Sequence, residues 1–231
     1  MPSASVNQRV RPRQLAFALD HAVSFAREDF LEGPSNAAAL GFVERWPDWP
    51  SRVMLLVGPE ASGKSHLAAI WAEAAGARFA AAKSLDSALL PAALVTGALV
   101  VEDLGPGAFD ERAMFHLLNL VREEEAFVLI TARSAPAGWD SLRIPDLASR
   151  LRALPVIELL APDDVLLRAL IVKLFSDRQL VVEESLVAYL ATRIERSLAG
   201  ARAAVEALDQ EALRQHRPVT RTLAAELFRE P

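Results

Sequence analysis

The 231-residue chain has no cysteine, which removes disulfide bonds, thiolate metal sites and thiol nucleophiles, and suits a reducing compartment. Lysine is scarce: of 25 basic residues only Lys64, Lys83 and Lys173 are lysines. Positive charge is not in excess either. Against 30 acids the formal net charge is −5, whereas a protein that holds nucleic acid by bulk electrostatics shows a basic face. No run approaches the ~20 apolar residues of a membrane span, and the N-terminus lacks the apolar core of a signal peptide. His21, His66, His116 and His216 are scattered without metal-site spacing. Together these absences read as a soluble, cytoplasmic protein with no membrane partner and no strong direct DNA binding. Apolar residues are plentiful: at 52% hydrophobic, the chain can bury a sizeable core.

One of the three lysines stands in the stretch around which the chain is organised, Arg52 to His66, R-V-M-L-L-V-G-P-E-A-S-G-K-S-H. The apolar run Val53–Val57 breaks at Gly58. Pro59, Glu60, Ala61 and Ser62 follow, and then Gly63, Lys64, Ser65 and His66 open a segment rich in Leu and Ala. This is G-x-x-x-x-G-K-S/T between a buried strand and a helix, the setting in which the pattern binds phosphate. Glycines let the backbone wrap the phosphate, while successive N–H groups and the helix N-terminus stabilise its charge. Lys64 is assigned to the β- and γ-phosphates and the Ser65 hydroxyl to Mg²⁺. The competing reading is a Gly-rich turn that binds nothing, and the flanking strand and helix count against it.

Residues 1–24 carry Pro2, Pro12 and three arginines from Arg9 to Arg13, and read as an extended arm. Within it Leu15, Phe17 and Leu19 follow Gln14 and share one side of an extended chain, suited to an added edge strand or to a partner's groove. Packing on the protein's own body is the alternative. Ser35 or Asn36 is placed to cap a helix through Val43, ended by Pro47 and Pro50. A helix is expected over Lys64–Ala75, stopped at Gly76, then a weak strand over Ala77–Ala81 and a helix over Ser84–Leu94 interrupted by Pro91. Ala98–Leu104 reads as a strand ending in two carboxylates, and Asp110 as the cap of the next helix. Ala126–Thr131 and Pro155–Leu160 read as further strands. Continuous apolar strands alternating with helices predict an α/β fold with a parallel sheet covered on both faces.

After Ala161 no strand-like run remains. Helices are expected from Asp163 or Asp164, from Glu183 to about Arg196, from about Leu198 to His216, and from Thr220 to Phe228. With ten basic residues against eleven acids, this all-α segment offers no basic recognition helix. The chain is thus divided into the arm at 1–24, an αβα nucleotide-binding base at 25–160 and a small helical lid at 161–231. Trp46, Trp49 and Trp139, beside Pro or Gly, are expected to pack under loops. Glu123–Glu125 reads as a solvated helix end.

A phosphate loop works with a strand-end carboxylate for the Mg²⁺ shell and often a second to orient water. Glu102 and Asp103 occupy that place. The combination resembles an AAA+ module, and more narrowly the DnaA-related proteins of bacterial replication initiation, including the short Hda type. The segment Asp29–Ala37 is similar to the family's F-x-x-G-x-x-N, which lies over adenine; this implies nucleotide-contacting roles for Phe30, Leu31 and Asn36. Asp146–Leu151 resembles the box of the arginine finger, carried over as Arg150, and Arg196 matches the second-sensor arginine of the lid. Gln14, Leu15, Phe17 and Leu19 resemble the Q-L-x-L-x-L motif by which Hda binds the sliding clamp. The chain stops where DnaA would continue into a helix-turn-helix domain and lacks DnaA's N-terminal domain, which favours the Hda type.

Two departures from the family pattern concern hydrolysis. Glu102 stands where Asp is usual, one methylene longer, and Mg²⁺ demands near-ideal octahedral geometry. At Thr131-Ala132-Arg133-Ser134 the first sensor is Arg133 or Ser134, where DnaA has Asp and many AAA+ proteins Asn. The resemblance therefore implies a protein that binds ADP or ATP with Mg²⁺ and hydrolyses ATP weakly. It also implies an Arg150 that acts in trans on ATP held by DnaA, with the DNA polymerase III sliding clamp as second partner and a homo-oligomer as a further one. An autonomous ATPase acting as a remodeller or loader, and a DnaA-like DNA-binding initiator, are the alternatives.

Overall fold

The apolar runs have no polar side because each strand faces two cores. In the computed structural model, which describes residues 25–228, Val53 and Leu55 face one cluster while Met54 and Leu56 face the other. The alternation repeats with Leu99 and Val101 against Ala98 and Val100. The strands are β1 (Val53–Val57), β2 (Arg78–Ala81), β3 (Ala98–Leu104), β4 (Phe127–Ala132) and β5 (Val156–Glu158). They pair in the order β2-β3-β4-β1-β5, and every pairing is parallel. This is the doubly covered parallel sheet that the sequence pattern predicts.

Helices α1 (Ala37–Glu44) and α2 (Lys64–Ala75) cover one face. Around Trp71 of α2 gather Trp49, stacked at 5.0 Å between ring centroids, and Trp46, edge-on at 6.5 Å. The other face carries α3 (Leu90–Ala93), α4 (Glu111–Glu123) and α5 (Pro145–Arg152). Asp110 caps α4 by accepting from the amides of Arg112 (2.7 Å) and Ala113 (3.2 Å). The last four helices, α6 (Asp164–Ser176), α7 (Glu184–Ala191), α8 (Leu198–Gln215) and α9 (Arg221–Leu227), bury a core of their own around Phe175, Leu190 and Leu208. Asp163, Ser197 and Thr220 cap α6, α8 and α9.

Several expected elements differ. Pro91 opens the four-residue α3 instead of interrupting a longer helix, because its fixed φ suits a first turn. α7 stops at Ala191, short of Arg196: Ser197 begins α8, and Gly200 lets the Glu195 carbonyl come so close that a Cβ would sit 2.5 Å from it. Arg196 is therefore left on the turn between the two helices. β5 keeps only three residues, and Pro145–Arg152, unassigned from periodicity, is a helix with Pro in its first turn. Asn36 occupies the N-cap position of α1 without capping it. Its side chain accepts from the Gly33 amide (2.8 Å) and donates to the Leu31 carbonyl (2.8 Å), holding the preceding loop. No helix among the described residues is long and apolar enough to cross a membrane.

Candidate nucleotide-binding site

The phosphate loop leaves β1 between β4 and β5 and enters α2. Two of its residues have left-handed backbone, Ala61 (φ 54°) and Gly63 (φ 103°), a conformation that turns successive amides inward to form an anion-binding nest. Gly58 cannot be replaced without a clash, since a Cβ there would lie 2.3 Å from the Leu159 carbonyl oxygen. Lys64 is 8% exposed and donates from Nζ to the carbonyls of Gly58 (2.9 Å) and Pro59 (2.6 Å). Among the described residues no carboxylate lies within ion-pair distance of Lys64, and burial holds its pKa below the usual lysine range. The charges of Asp103 and Glu60 work against that shift, and the charge of Arg133 adds to it. The Ser62 hydroxyl oxygen is buried without a hydrogen-bond partner. A buried cation held only by carbonyls, an unpartnered hydroxyl and left-handed backbone at Ala61 and Gly63 fit a phosphate group. Gly58–Ser65 would hold the phosphates, and Ser65 with Glu102 and Asp103 the Mg²⁺ shell.

β3, which carries those two acids, does not pair with β1; β4 lies between them. Val101 pairs with Ile130 but Leu104 pairs with Ala132, so Glu102 and Asp103 form a bulge with one residue too many. Asp103 has φ 57° and donates its amide to the Thr131 hydroxyl (3.0 Å), a side chain only 1% exposed. A non-glycine residue held in this region is strained by ~1–3 kcal/mol, and such strain concentrates at functional sites. At the end of β4 the two candidates for the first-sensor position separate. Ser134 accepts from the Trp139 indole N–H (3.0 Å), so its hydroxyl is engaged there. Arg133 reaches the phosphate loop and pairs with Glu60 at 2.8 Å.

The segment expected over the base lies against the start of α2. Phe30 is buried, with its ring 3.5 Å from where a Cβ on Gly63 would be. His66 meets the rings of Phe25 and Phe30 edge-on at 5.5 and 5.1 Å, and its Nε2 bonds the Ala26 carbonyl at 2.8 Å. Leu31 and Asn36 are joined by the hydrogen bond described above.

The helical domain is tied to this segment by contacts that sequence reading missed. The Asp163 carboxylate accepts from the Ser35 amide (3.0 Å), and the Asp163 amide donates to the Ser35 hydroxyl (3.3 Å). Lys173 Nζ lies 2.7 Å from Asp29, which raises the lysine pKa. The Leu198 amide donates to Ala61 of the phosphate loop (3.2 Å). Arg196 pairs with Asp164 at 2.7 Å on an exposed part of the turn, so its guanidinium belongs to the helical domain's own surface here.

Arg150 lies apart, on the last turn of α5. It pairs with Asp146 (3.0 Å), donates to Asn119 Oδ1 (2.8 Å) and sits 4.8 Å above the Phe115 ring, yet its side chain remains 38% exposed. Gln14, Leu15, Phe17 and Leu19, expected to bind a sliding clamp, lie outside the described residues.

No family model matches the sequence, and no curated protein is similar to it in sequence. Solved structures are similar in fold. Domain III of the Thermotoga maritima replication initiation protein DnaA superposes with a TM-score of 0.70, at 17% identity, over 90% of this chain and 98% of that one. AMPPCP-bound DnaA from Aquifex aeolicus gives 0.66 at 15% identity, over 81% of this chain and 65% of that one. A RuvB variant from Thermotoga maritima gives 0.68 at 16% identity, over 88% and 70%. The sheet order, the loop after β1 and the appended helical domain give the chain the AAA+ fold, in the form seen in DnaA domain III.

Proposed function

We propose that this chain is a nucleotide-binding regulator of the DnaA-related type, which holds ADP or ATP to set its conformation and hydrolyses ATP slowly on its own. The observation that carries this reading is the mismatch within the site. Gly58–Ser65 is a complete phosphate cradle, whereas the strand ends beside it present a strained bulge and an arginine paired to the loop's own Glu60. Lys64 would exchange the Gly58 and Pro59 carbonyls for phosphate oxygens, and Ser65 would face the metal. Bound Mg²⁺ supplies charge neutralisation at the phosphates. Because Leu198 touches Ala61 and Asp163 touches Ser35, a shift of the loop or of the segment above the base would reach the helical domain directly.

In the finer reading the protein works as Hda does. The arm would bind the DNA-loaded sliding clamp through Gln14, Leu15, Phe17 and Leu19, and Arg150 would reach the ATP held by a DnaA partner. Arg150 would then exchange Asp146 and Asn119 for phosphoryl oxygens, where its charge counters the charge that develops in the transition state. The DnaA structure solved with AMPPCP and the shared fold support nucleotide and replication chemistry as the setting. The test is DnaA-bound ATP hydrolysis in the presence of clamp loaded on DNA. Wild-type protein should accelerate it, and Arg150→Ala should remove that acceleration, a loss on the order of 10³-fold by analogy with arginine fingers supplied in trans. Undiminished acceleration with Arg150→Ala would remove that residue from the role.

A further inference from the structure

The helical domain balances most of its cations within itself. Arg168 pairs with Glu184, Arg178 with Asp209, Arg196 with Asp164, Arg214 with Glu211 and Arg217 with Glu226. Arg193 and Arg221 are different. Both are exposed, and among the described residues neither has a carboxylate within ion-pair distance. Yet they converge: the guanidinium carbon of Arg193 lies 3.9 Å from the Tyr189 ring centroid and that of Arg221 5.8 Å. Two like charges that share one ring repel each other, and Arg221 is the first residue of α9, where positive charge is disfavoured. The ring offsets part of that repulsion, and a carboxylate held between the two guanidinium forks would offset more.

The two arginines stand at a groove of about 290 Å³, lined otherwise by Ser185, Ala188, Tyr189 and Thr192. These four recur along one face of α7 and its C-terminal cap, so the groove follows the helix for two turns, about 10 Å, which takes roughly three extended residues. The Ala188 methyl and the Tyr189 ring form an apolar wall that a bare inorganic anion would leave unused. Arg193 Nη1 donates to the Thr192 hydroxyl (3.3 Å), which in turn donates to the Tyr189 carbonyl (2.9 Å), so this fork is held in place on the ring. A nucleic-acid strand needs a run of cations and open ring faces on which bases stack. Here the cations are these two, and Arg193 already lies over the ring.

We propose that the groove between α7 and α9 binds a short acidic segment of a partner protein, with Arg193 and Arg221 holding its carboxylates and the Tyr189 ring its apolar side. α7 and α9 carry none of the residues assigned to the nucleotide, so this surface stands apart from the phosphate cradle.

The test is a nuclear magnetic resonance titration of the ¹⁵N-labelled full chain, read at the amides of α7 and α9 and at the arginine Nε–H signals. The probe is a capped hexapeptide of alternating Glu and Leu, compared with its Gln-Leu counterpart, hexathymidylate and inorganic phosphate. The Glu-Leu peptide should shift the signals of Tyr189, Arg193 and Arg221 saturably, with a Kd below about 1 mM, and the Gln-Leu peptide should bind at least about tenfold more weakly. Arg193→Ala and Arg221→Ala should each weaken the Glu-Leu peptide about five- to tenfold, and Arg193→Lys, which keeps the charge but loses the fork, should fall between. Arg214→Ala changes the net charge of the same domain by the same amount and should leave binding within about twofold. Unmoved groove signals, an equal response to the Gln-Leu peptide, or an equal loss in Arg214→Ala would overturn the site. Tighter binding of hexathymidylate would make it a nucleic-acid contact instead, and saturation by phosphate at the same concentration would reduce it to a simple anion site; either result contradicts the proposal.

Discussion

The two sides of the phosphate cradle are built differently. On the loop side most features fit a phosphate: left-handed backbone at Ala61 and Gly63, a Gly58 with no room for a Cβ, and a buried Lys64 bonded only to carbonyls. On the strand-end side Glu102 and Asp103 sit in a bulge, and Arg133 is paired with Glu60 instead of being free to orient water. The difference teaches that holding a nucleotide and cleaving it are separate properties of one fold. On the proposed reading this chain keeps the first on backbone geometry, whereas the second depends on a few side chains held at ångström precision.

Substitutions on each side should separate those properties, beginning with the largest effect. Lys64→Ala should weaken both ADP and AMPPCP by ~10- to 100-fold in calorimetry, the worth of one charge-assisted contact to phosphate, and AMPPCP at least as much as ADP because the amine is assigned to both terminal phosphates. ADP binding left undiminished would break the comparison, because the loop would then not hold the phosphates that both ligands share. Gly58→Ala should cost about 2–3 kcal/mol in urea unfolding, since the added carbon meets the Leu159 carbonyl oxygen, a backbone atom, at 2.3 Å.

Asp163→Ala should cost ~1 kcal/mol, because it removes both the cap of α6 and the acceptor for the Ser35 amide. The Leu166 amide, and after it Ser35, holds the Asp163 carboxyl below its ordinary value of 3.8. The stabilisation is therefore fully present above pH 3.8 and is lost as pH falls through the lowered folded value, so unfolding curves of wild type and variant should converge in acid. Curves that remain parallel to low pH would remove the carboxylate from the link between base and lid. Glu102→Asp, the smallest effect, should raise intrinsic ATP turnover by about threefold to tenfold if the extra methylene is what disturbs the metal shell. No change would place the defect in the bulge or at Arg133.

Much of the base was legible in the sequence because its signals are local. β1 and α2 have the bounds expected from the apolar run, the glycine loop and Gly76, and Asp110 caps α4 as its position before a periodic segment implies. What escaped depends on residues far apart in the chain. Ser35 and Asp163 are 128 positions apart, Asp29 and Lys173 144, and no periodicity connects them. The end of α7 escaped for the same kind of reason. Thr192–Glu195 is compatible with a helix, and only the packing of Glu195 against Gly200 and the cap at Ser197 turn the chain there. At the site the residue types pointed to phosphate, but not which of Arg133 and Ser134 faces the loop. The structure separates them: the Trp139 indole N–H donates to the Ser134 hydroxyl oxygen, and Arg133 pairs with Glu60 of the loop.

The most direct test of the separation between binding and cleavage is a single-turnover measurement, with ATP in substoichiometric amount, fully bound, and no partner protein present. A cradle that binds beside a cluster that does not activate water predicts cleavage on the order of 10⁻² per second or slower, the range of phosphate-loop proteins left to their own residues. Cleavage at several per second by the isolated chain would contradict it.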